Sequence, residues 1–423
     1  MNVLVLGSGG REHALCWRMK QDPSCSQIFA WPGNPGMEGI QLLQASFNKQ
    51  NLEEIIGTYN IKLIIPGAEK YLYEGVSDWC EEWKIACFGP STKAASLEKS
   101  KIFAKEIMIM SGVPTASYKD LTHEFKNQFS CCENILSSFS RPVIKISGPS
   151  LGKGVFVCKD TTEAMSILED IKRSPLPGLE EGIMVEEGLN GKEVSLFYAC
   201  NGENFVFLGA AQDHKRLLDN DEGPNTGGMG AYSPVDWVND DFIQRSSDTI
   251  LRPTLNKMKE LGHPFKGVLF LGLMVNDNEV NLLEYNARFG DPETQVILPL
   301  IQGDLTQLLF DISSFDNSSQ NIFLKKQVAI HVVKAARGYP GTFGTFIEKN
   351  QKIHLDTNKL ENVHCFFAGV SKQDGDLVTN GGRVLGITAV AETLLEAKEL
   401  AYSGLSKCHF EGEQFRSDIG GKA

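Results

Sequence analysis

The stretch Asn281-Leu-Leu-Glu-Tyr-Asn-Ala-Arg-Phe-Gly-Asp-Pro-Glu293 decides how the rest of the chain is read. Its first half has the composition of a strand. Strand side chains alternate faces, so Glu284, Asn286 and Arg288 are predicted to point the same way. One face then carries a carboxylate, an amide and a guanidinium. Magnesium is a hard ion that accepts a few protein oxygens and completes its shell with phosphate and water, which suits Glu284 and Asn286 as ligands beside a nucleotide triphosphate. Arg288 would meet a carboxylate or a developing oxyanion. As a bare pattern the same alternation more often describes a solvated strand face, so its weight depends on the surrounding chain.

Just upstream, Val268 to Val275 is the longest apolar run, with the length of a buried strand and far short of a membrane span. It turns at Asn276-Asp-Asn278 into the quoted stretch. Before it, Asp240 to Gly262 reads as one amphipathic helix. Further back, Asp213-His-Lys-Arg216 and Glu222-Gly-Pro-Asn-Thr-Gly-Gly-Met-Gly-Ala-Tyr-Ser-Pro234 read as a long loop without periodicity, of the kind that serves as a substrate lid.

The middle of the chain carries a second cluster of charge. Pro90-Ser-Thr opens a helix that runs through Ser100-Lys101 and ends at Gly112-Val-Pro114. Pro142-Val-Ile-Lys-Ile146 and Val155 to Cys158 are two strands joined by Ser147-Gly-Pro-Ser-Leu-Gly-Lys-Gly154, a glycine-rich cover for phosphates that includes Gly152, Lys153 and Gly154. Gly154-Val155 enters a strand rather than a helix, which excludes a Walker loop. Lys145 sits in an apolar run, and a buried ammonium needs an anionic partner. Thr161 or Thr162 is placed to cap the following helix. Ile183-Met-Val-Glu-Glu187 is a strand ending in two carboxylates, and Glu193 lies at the start of the next, where a strand-edge surface charge is the commoner outcome.

At the N-terminus, Val3 to Leu6 followed by Gly7-Ser-Gly-Gly-Arg-Glu-His13 reads as strand, glycine turn and helix, the opening of a Rossmann-like unit. Glu12 stands where the dinucleotide fingerprint needs its third glycine, so a nicotinamide dinucleotide is disfavoured and a smaller phosphate ligand is favoured. Strands at Ile28 to Trp31 and Leu63 to Ile65 extend a parallel sheet to about residue 90. Glu69 lies just past a strand end, where open sheets bind ligands. Strands from Gln327 onward, Gly381-Gly-Arg383 and a helix near Ala391 to Lys407 form a last domain.

The chain has 423 residues, enough for two to four domains. Its 42% hydrophobic and 22% charged content is that of a globular protein, and a net charge of -12 argues against wholesale nucleic-acid binding. The ten cysteines form no C-x-x-C pair, and no secretory leader is legible, which points to a reducing, cytoplasmic setting with no membrane partner.

Together Gly7-Ser-Gly-Gly-Arg-Glu-His13, Gln212-Asp-His-Lys-Arg216, the glycine loop ending at Pro234, Arg288-Phe-Gly-Asp-Pro-Glu-Thr294 and Thr379-Asn-Gly-Gly-Arg-Val-Leu385 resemble the phosphoribosylamine-glycine ligase family of the ATP-grasp superfamily, from Met1 to about Ile419. The resemblance implies an α/β architecture: an ATP-grasp core (101-120 and 188-325) with a Rossmann-like N-terminal domain (1-100), an inserted lid subdomain (121-187) and a C-terminal domain (326-423). It implies ATP, glycine and 5-phosphoribosylamine as substrates, a glycyl phosphate intermediate, and Mg2+ or Mn2+ held by Glu284 and Asn286. Lys101, Lys145 and Lys153 would hold ATP phosphates, Glu186 and Glu187 would address adenine, and Glu193 the ribose. Arg288 would stabilise the acyl phosphate. Gly10, Arg11, Glu69, Asp291 and Arg383 would contact phosphoribosylamine, with Asp213 on the glycine side. A monomer or weak dimer is expected. The chain departs from the family at Ser147, where an acidic residue is common, at Gly67-Ala-Glu-Lys-Tyr-Leu72, and at Gly188, which replaces an aromatic residue after the paired glutamates. Two other readings remain: a nucleotide-binding regulator without turnover, and a dehydrogenase using the first glycine turn.

Overall fold

Val3, Leu4, Val5 and Leu6 have no exposed surface, as expected for a strand covered on both faces of a parallel sheet. In the computed structural model, which describes all residues except 151–153, 278, 315–321, 342–345, 357–359 and 422–423, that strand, Asn2–Gly7, is the centre of a five-stranded parallel sheet. The order is Gln41–Leu42, Gln27–Pro32, Asn2–Gly7, Ile61–Pro66, Ala86–Cys87. The order reverses beside Asn2–Gly7, which places a ligand crevice at the carboxyl ends of Gly7 and Pro66. Glu12 folds back into this turn and accepts a hydrogen bond from the Gly9 amide at 2.6 Å. A Cβ on Gly7, which has φ +135°, would lie 2.5 Å from Glu12 Cγ. The carboxylate therefore fills the floor of the turn that a dinucleotide pyrophosphate would approach.

A four-stranded sheet follows, ordered Tyr118–Asp120, Ile183–Glu187, Pro142–Ile146, Val155–Val157. The helix Thr161–Arg173 covers it with Ala164, Leu168 and Ile171. Its cap is Asp160, whose carboxylate accepts from the Glu163 amide at 2.9 Å, in place of the predicted Thr161 or Thr162. A carboxylate beside the helix N-terminus also complements its dipole.

The largest sheet has eight strands, in the order Glu279–Asn286, Lys266–Asn276, Lys192–Asn201, Phe205–Asp213, Gly230–Ser233, Val328–Ala335, Arg383–Ala391, Val363–Phe367. All neighbours are antiparallel. Gly230–Ser233 pairs with Val328–Ala335, so one continuous sheet runs across the expected boundary at residue 326.

Three further expectations are corrected. The segment from 213 to 234 is largely strand: Arg216–Leu218 pairs with Glu222–Asn225, and Gly230–Ser233 joins the large sheet. The helix opened near Pro90 is broken at Ser100, which ends Ser96–Lys99 and caps Lys101–Met110 by accepting from the Phe103 amide at 3.2 Å. The segment from Asp240 is helical but interrupted, with a π-helical turn, Ser247–Leu251, between Asp240–Ser246 and Arg252–Glu260. Among the described residues no helix is long and apolar enough to cross a membrane, and all ten cysteines are unbridged.

Candidate active site

The strand Glu279–Asn286 pairs with Lys266–Asn276 so that Glu284 faces Gly272 and Leu282 faces Leu273. Leu283 is the extra residue of a bulge. The bulge has a direct consequence for the faces. Leu282, Tyr285 and Ala287 all enter one apolar cluster, although plain alternation would put Leu282 and Tyr285 on opposite sides. Glu284 and Asn286 are thereby turned toward the cleft. Gly272 leaves room for them, since a Cβ there would stand 3.3 Å from Glu284 Cγ. Burial raises the pKa of Glu284, but the ammonium groups of Lys215, Lys145 and Lys101 and a hydrogen bond with Asn286 hold it below the usual glutamate value.

Facing this strand is the lysine cluster. Lys145 is buried, and its ammonium lies 2.5 Å from Glu186 Oε1, the anionic partner its apolar setting demands. Lys105 Nζ approaches the other oxygen of Glu186 at 2.8 Å and donates to Thr115 Oγ1 at 2.6 Å. Despite burial, the two ammonium groups hold the Glu186 carboxyl below its ordinary value. Lys101 enters at the capped helix start. Burial lowers its pKa against the pull of Glu284. Lys105 was missed from the sequence, although it sits four residues after Lys101 and so on the same helix face.

Arg288 is held from below by two carboxylates, Glu98 at 3.1 Å and Glu69 at 3.3 Å. Glu98 also accepts from the Ala287 amide at 2.7 Å. Burial keeps the Glu98 pKa raised in spite of Arg288, whereas Arg288 and Arg11 overcome burial at Glu69 and lower it. No local sequence signal distinguishes Glu98, which reaches the site through the fold. Arg11 is buried, with its guanidinium on Glu12 Oε1 at 2.6 Å and Phe289 O at 2.9 Å.

Arg383 crosses from the C-terminal strand to the core. Its Nη1 donates to Gly227 O at 2.7 Å and Asp291 O at 2.8 Å, and Nη2 lies 3.3 Å from Asp291 Oδ2. Gly10 begins the helix Gly10–Met19, and a Cβ there would meet Gln295 Nε2 at 2.9 Å. On the opposite side Lys215 Nζ bridges to Glu193 at 2.6 Å. Asp213 lies near both, with its pKa raised by burial. Glu293, another missed residue, is buried, and burial together with the Asp213 charge pushes its carboxyl up to about 7.

Arg11, Glu69, Lys101, Lys145, Gly154, Glu186, Glu193, Asp213, Glu284, Asn286, Arg288, Asp291 and Arg383 all line one cleft of about 1130 Å³. Gly10 and Glu187 stand outside its wall. The Glu187 carboxylate accepts instead from the amides of Ser140 at 2.9 Å and Arg141 at 2.8 Å. Gly152 and Lys153 lie outside the described residues. Glu284 and Asn286 supply hard oxygen donors, and among the described residues no group of three or more His, Cys, Asp or Glu forms a closed cage. The donor set therefore fits a divalent ion that shares its shell with phosphate oxygens and water.

A lysine-lined cleft between a four-stranded sheet and a large antiparallel sheet defines an ATP-grasp protein. The biotin carboxylase domain of Hydrogenobacter thermophilus 2-oxoglutarate carboxylase, solved with MgADP, ADP and bicarbonate, has this fold with a TM-score of 0.71 at 16% identity, covering 98% of this chain and 91% of that one. The chain belongs to the phosphoribosylglycinamide synthetase family, whose N domain matches residues 1–98, ATP-grasp (A) domain residues 99–294 and C domain residues 329–422. A phosphoribosylamine–glycine ligase from Thermotoga maritima superposes with a TM-score of 0.84 at 34% identity, covering 99% of this chain and all of that one. The protein of the same name from Leptospira interrogans is 37% identical, over all of this chain and 99% of its own length. The trifunctional purine biosynthetic protein adenosine-3 of Gallus gallus is 40% identical, and the chain spans 42% of its length.

Proposed function

We propose that the chain ligates glycine to 5-phosphoribosylamine with ATP, giving glycinamide ribonucleotide, ADP and phosphate. The observation that carries this reading is the facing of Lys101, Lys105 and Lys145 by Glu284 and Asn286 across one cleft, with Arg288 beside them. The lysines draw the triphosphate into the cleft against a net negative chain. A divalent cation, magnesium or manganese, on Glu284 and Asn286 would screen the triphosphate so that a carboxylate can approach it. The glycine carboxylate attacks the γ-phosphorus, ADP leaves, and glycyl phosphate forms. The amine of phosphoribosylamine then attacks the acyl carbon, and phosphate departs with the C–O bond as a proton is lost from nitrogen.

Arg288, fixed by Glu69 and Glu98, presents its guanidinium to the acyl phosphate oxygens. Asp213 and Glu293 form an acidic wall for the glycine ammonium group. Arg11 and Arg383 suit the sugar phosphate, and Glu69 and Asp291 suit the ribose hydroxyls. The purified chain should release ADP only when glycine and phosphoribosylamine are both supplied. ADP release indifferent to both rejects the ligase, and nucleotide binding without glycine-dependent turnover would favour a regulator.

A further inference from the structure

Just after Glu186 and Glu187, Gly188 lies in the cleft wall, and the space beside its α-carbon is taken by another residue. A Cβ built on Gly188 would stand 2.9 Å from both Cγ and Cδ of Arg141. The stem of Arg141 thus runs through the space that a side chain at 188 would need. Its backbone is clamped on both sides: the amide donates to Glu187 Oε1 at 2.8 Å, and the carbonyl accepts from the Gly188 amide at 2.7 Å. The guanidinium is oriented by donation from Nη1 to Asn190 Oδ1 at 2.6 Å. Arg141 lines the cleft together with Val143, Met184, Gly188 and Leu189, a mixed apolar wall of the kind a flat heterocycle requires. It immediately precedes the strand Pro142–Ile146, four residues before Lys145 and about 13 Å from it at strand rise, so the strand carries Lys145 toward one end and Arg141 stands just before the other.

We propose that Arg141 is the nucleobase-stacking residue of this chain, its guanidinium plane lying against the purine face. A guanidinium is planar and weakly hydrated, so it stacks on an aromatic face where an ammonium cannot. The paired identities are then explained together: glycine at 188 makes room, Glu187 and Asn190 set the pose, and Arg141 supplies the surface. This inference rests on the proposed binding of ATP in the cleft.

The test compares R141A and R141K with the unaltered chain, measuring KM for ATP, kcat, and the inhibition constant of inorganic tripolyphosphate against ATP. For R141A the KM for ATP should rise about five- to tenfold, with kcat far less affected and the tripolyphosphate constant unmoved. R141K, which keeps charge and loses the plane, should behave like R141A. Wild-type KM in either variant overturns the inference, as does a tripolyphosphate constant that rises in parallel with KM, because that assigns Arg141 to the phosphates. Failure of the unaltered chain to turn over ATP would instead strike the proposed function, so the two failures are distinguishable.

Discussion

Glu284 shows how much one carboxylate depends on its neighbours. Three ammonium groups converge on it, and its partner Asn286 removes one of its lone pairs from solvent competition. Glu284→Gln keeps the shape and loses the charge, so kcat should fall by about a hundredfold or more in a coupled ADP assay, with the fold preserved by circular dichroism. Glu293 poses the opposite case. Its pKa is raised from 4.5 to about 7, so between those values the folded chain retains a proton that the unfolded chain has released. Stability contributed by this group is therefore present at low pH and lost as pH rises toward 7. Glu293→Gln removes that loss, so its stability relative to wild type should grow as pH rises from 4.5 through 7. Denaturant titrations at the two pH values, without nucleotide, give the difference.

Elements position these residues through breaks in regular structure. Ser100 divides what composition presents as one helix, and the division aims Lys101 and Lys105 into the cleft from a new helix start. Ser100→Ala should cost about 1 kcal/mol of stability through the lost cap and raise KM for ATP, both measurable on the same preparation. The strand pair Pro142–Ile146 and Ile183–Glu187 holds the buried group of Lys145, Glu186 and Lys105. Glu186→Gln leaves two ammonium groups facing each other without a counter-charge, and a loss of about 3–5 kcal/mol is expected in thermal or denaturant unfolding. The bulge at Leu283 is the third such break. It rotates Glu284 and Asn286 off the packed face that Leu282, Tyr285 and Ala287 share.

At the scale of the molecule, the continuous eight-stranded sheet fastens the C-terminal strands to the core, and Arg383 pins its far end to the loop at Gly227 and Asp291. The His13 imidazole accepts from the Phe367 amide at 3.0 Å and so ties the first helix to the same region. Arg383→Ala removes a charge-assisted fastener and should destabilise the chain by about 2 kcal/mol. It should also raise KM for phosphoribosylamine more than KM for ATP if Arg383 contacts the sugar phosphate as proposed. An equal rise in both constants would assign it a purely structural role.

Much of this was legible in the linear chain because its signals are local. A buried lysine in Pro142–Ile146, a glycine turn after Val3–Leu6 and the alternation of Glu284 with Asn286 each follow from a few neighbouring residues, and the motif set carried the family. The partners of those residues were not legible. Glu98 meets Arg288 across 190 positions, Lys105 meets Glu186, and Glu293 meets Asp213 only once separate sheets enclose a common cleft. Local pattern pointed to many of the side chains that line the cleft, since period and turn chemistry act over a few residues, but not to Lys105, Glu98 or Glu293. Tertiary structure decided which charges face one another and which protons they hold, because Coulomb energy and desolvation depend on distances that chain position does not encode.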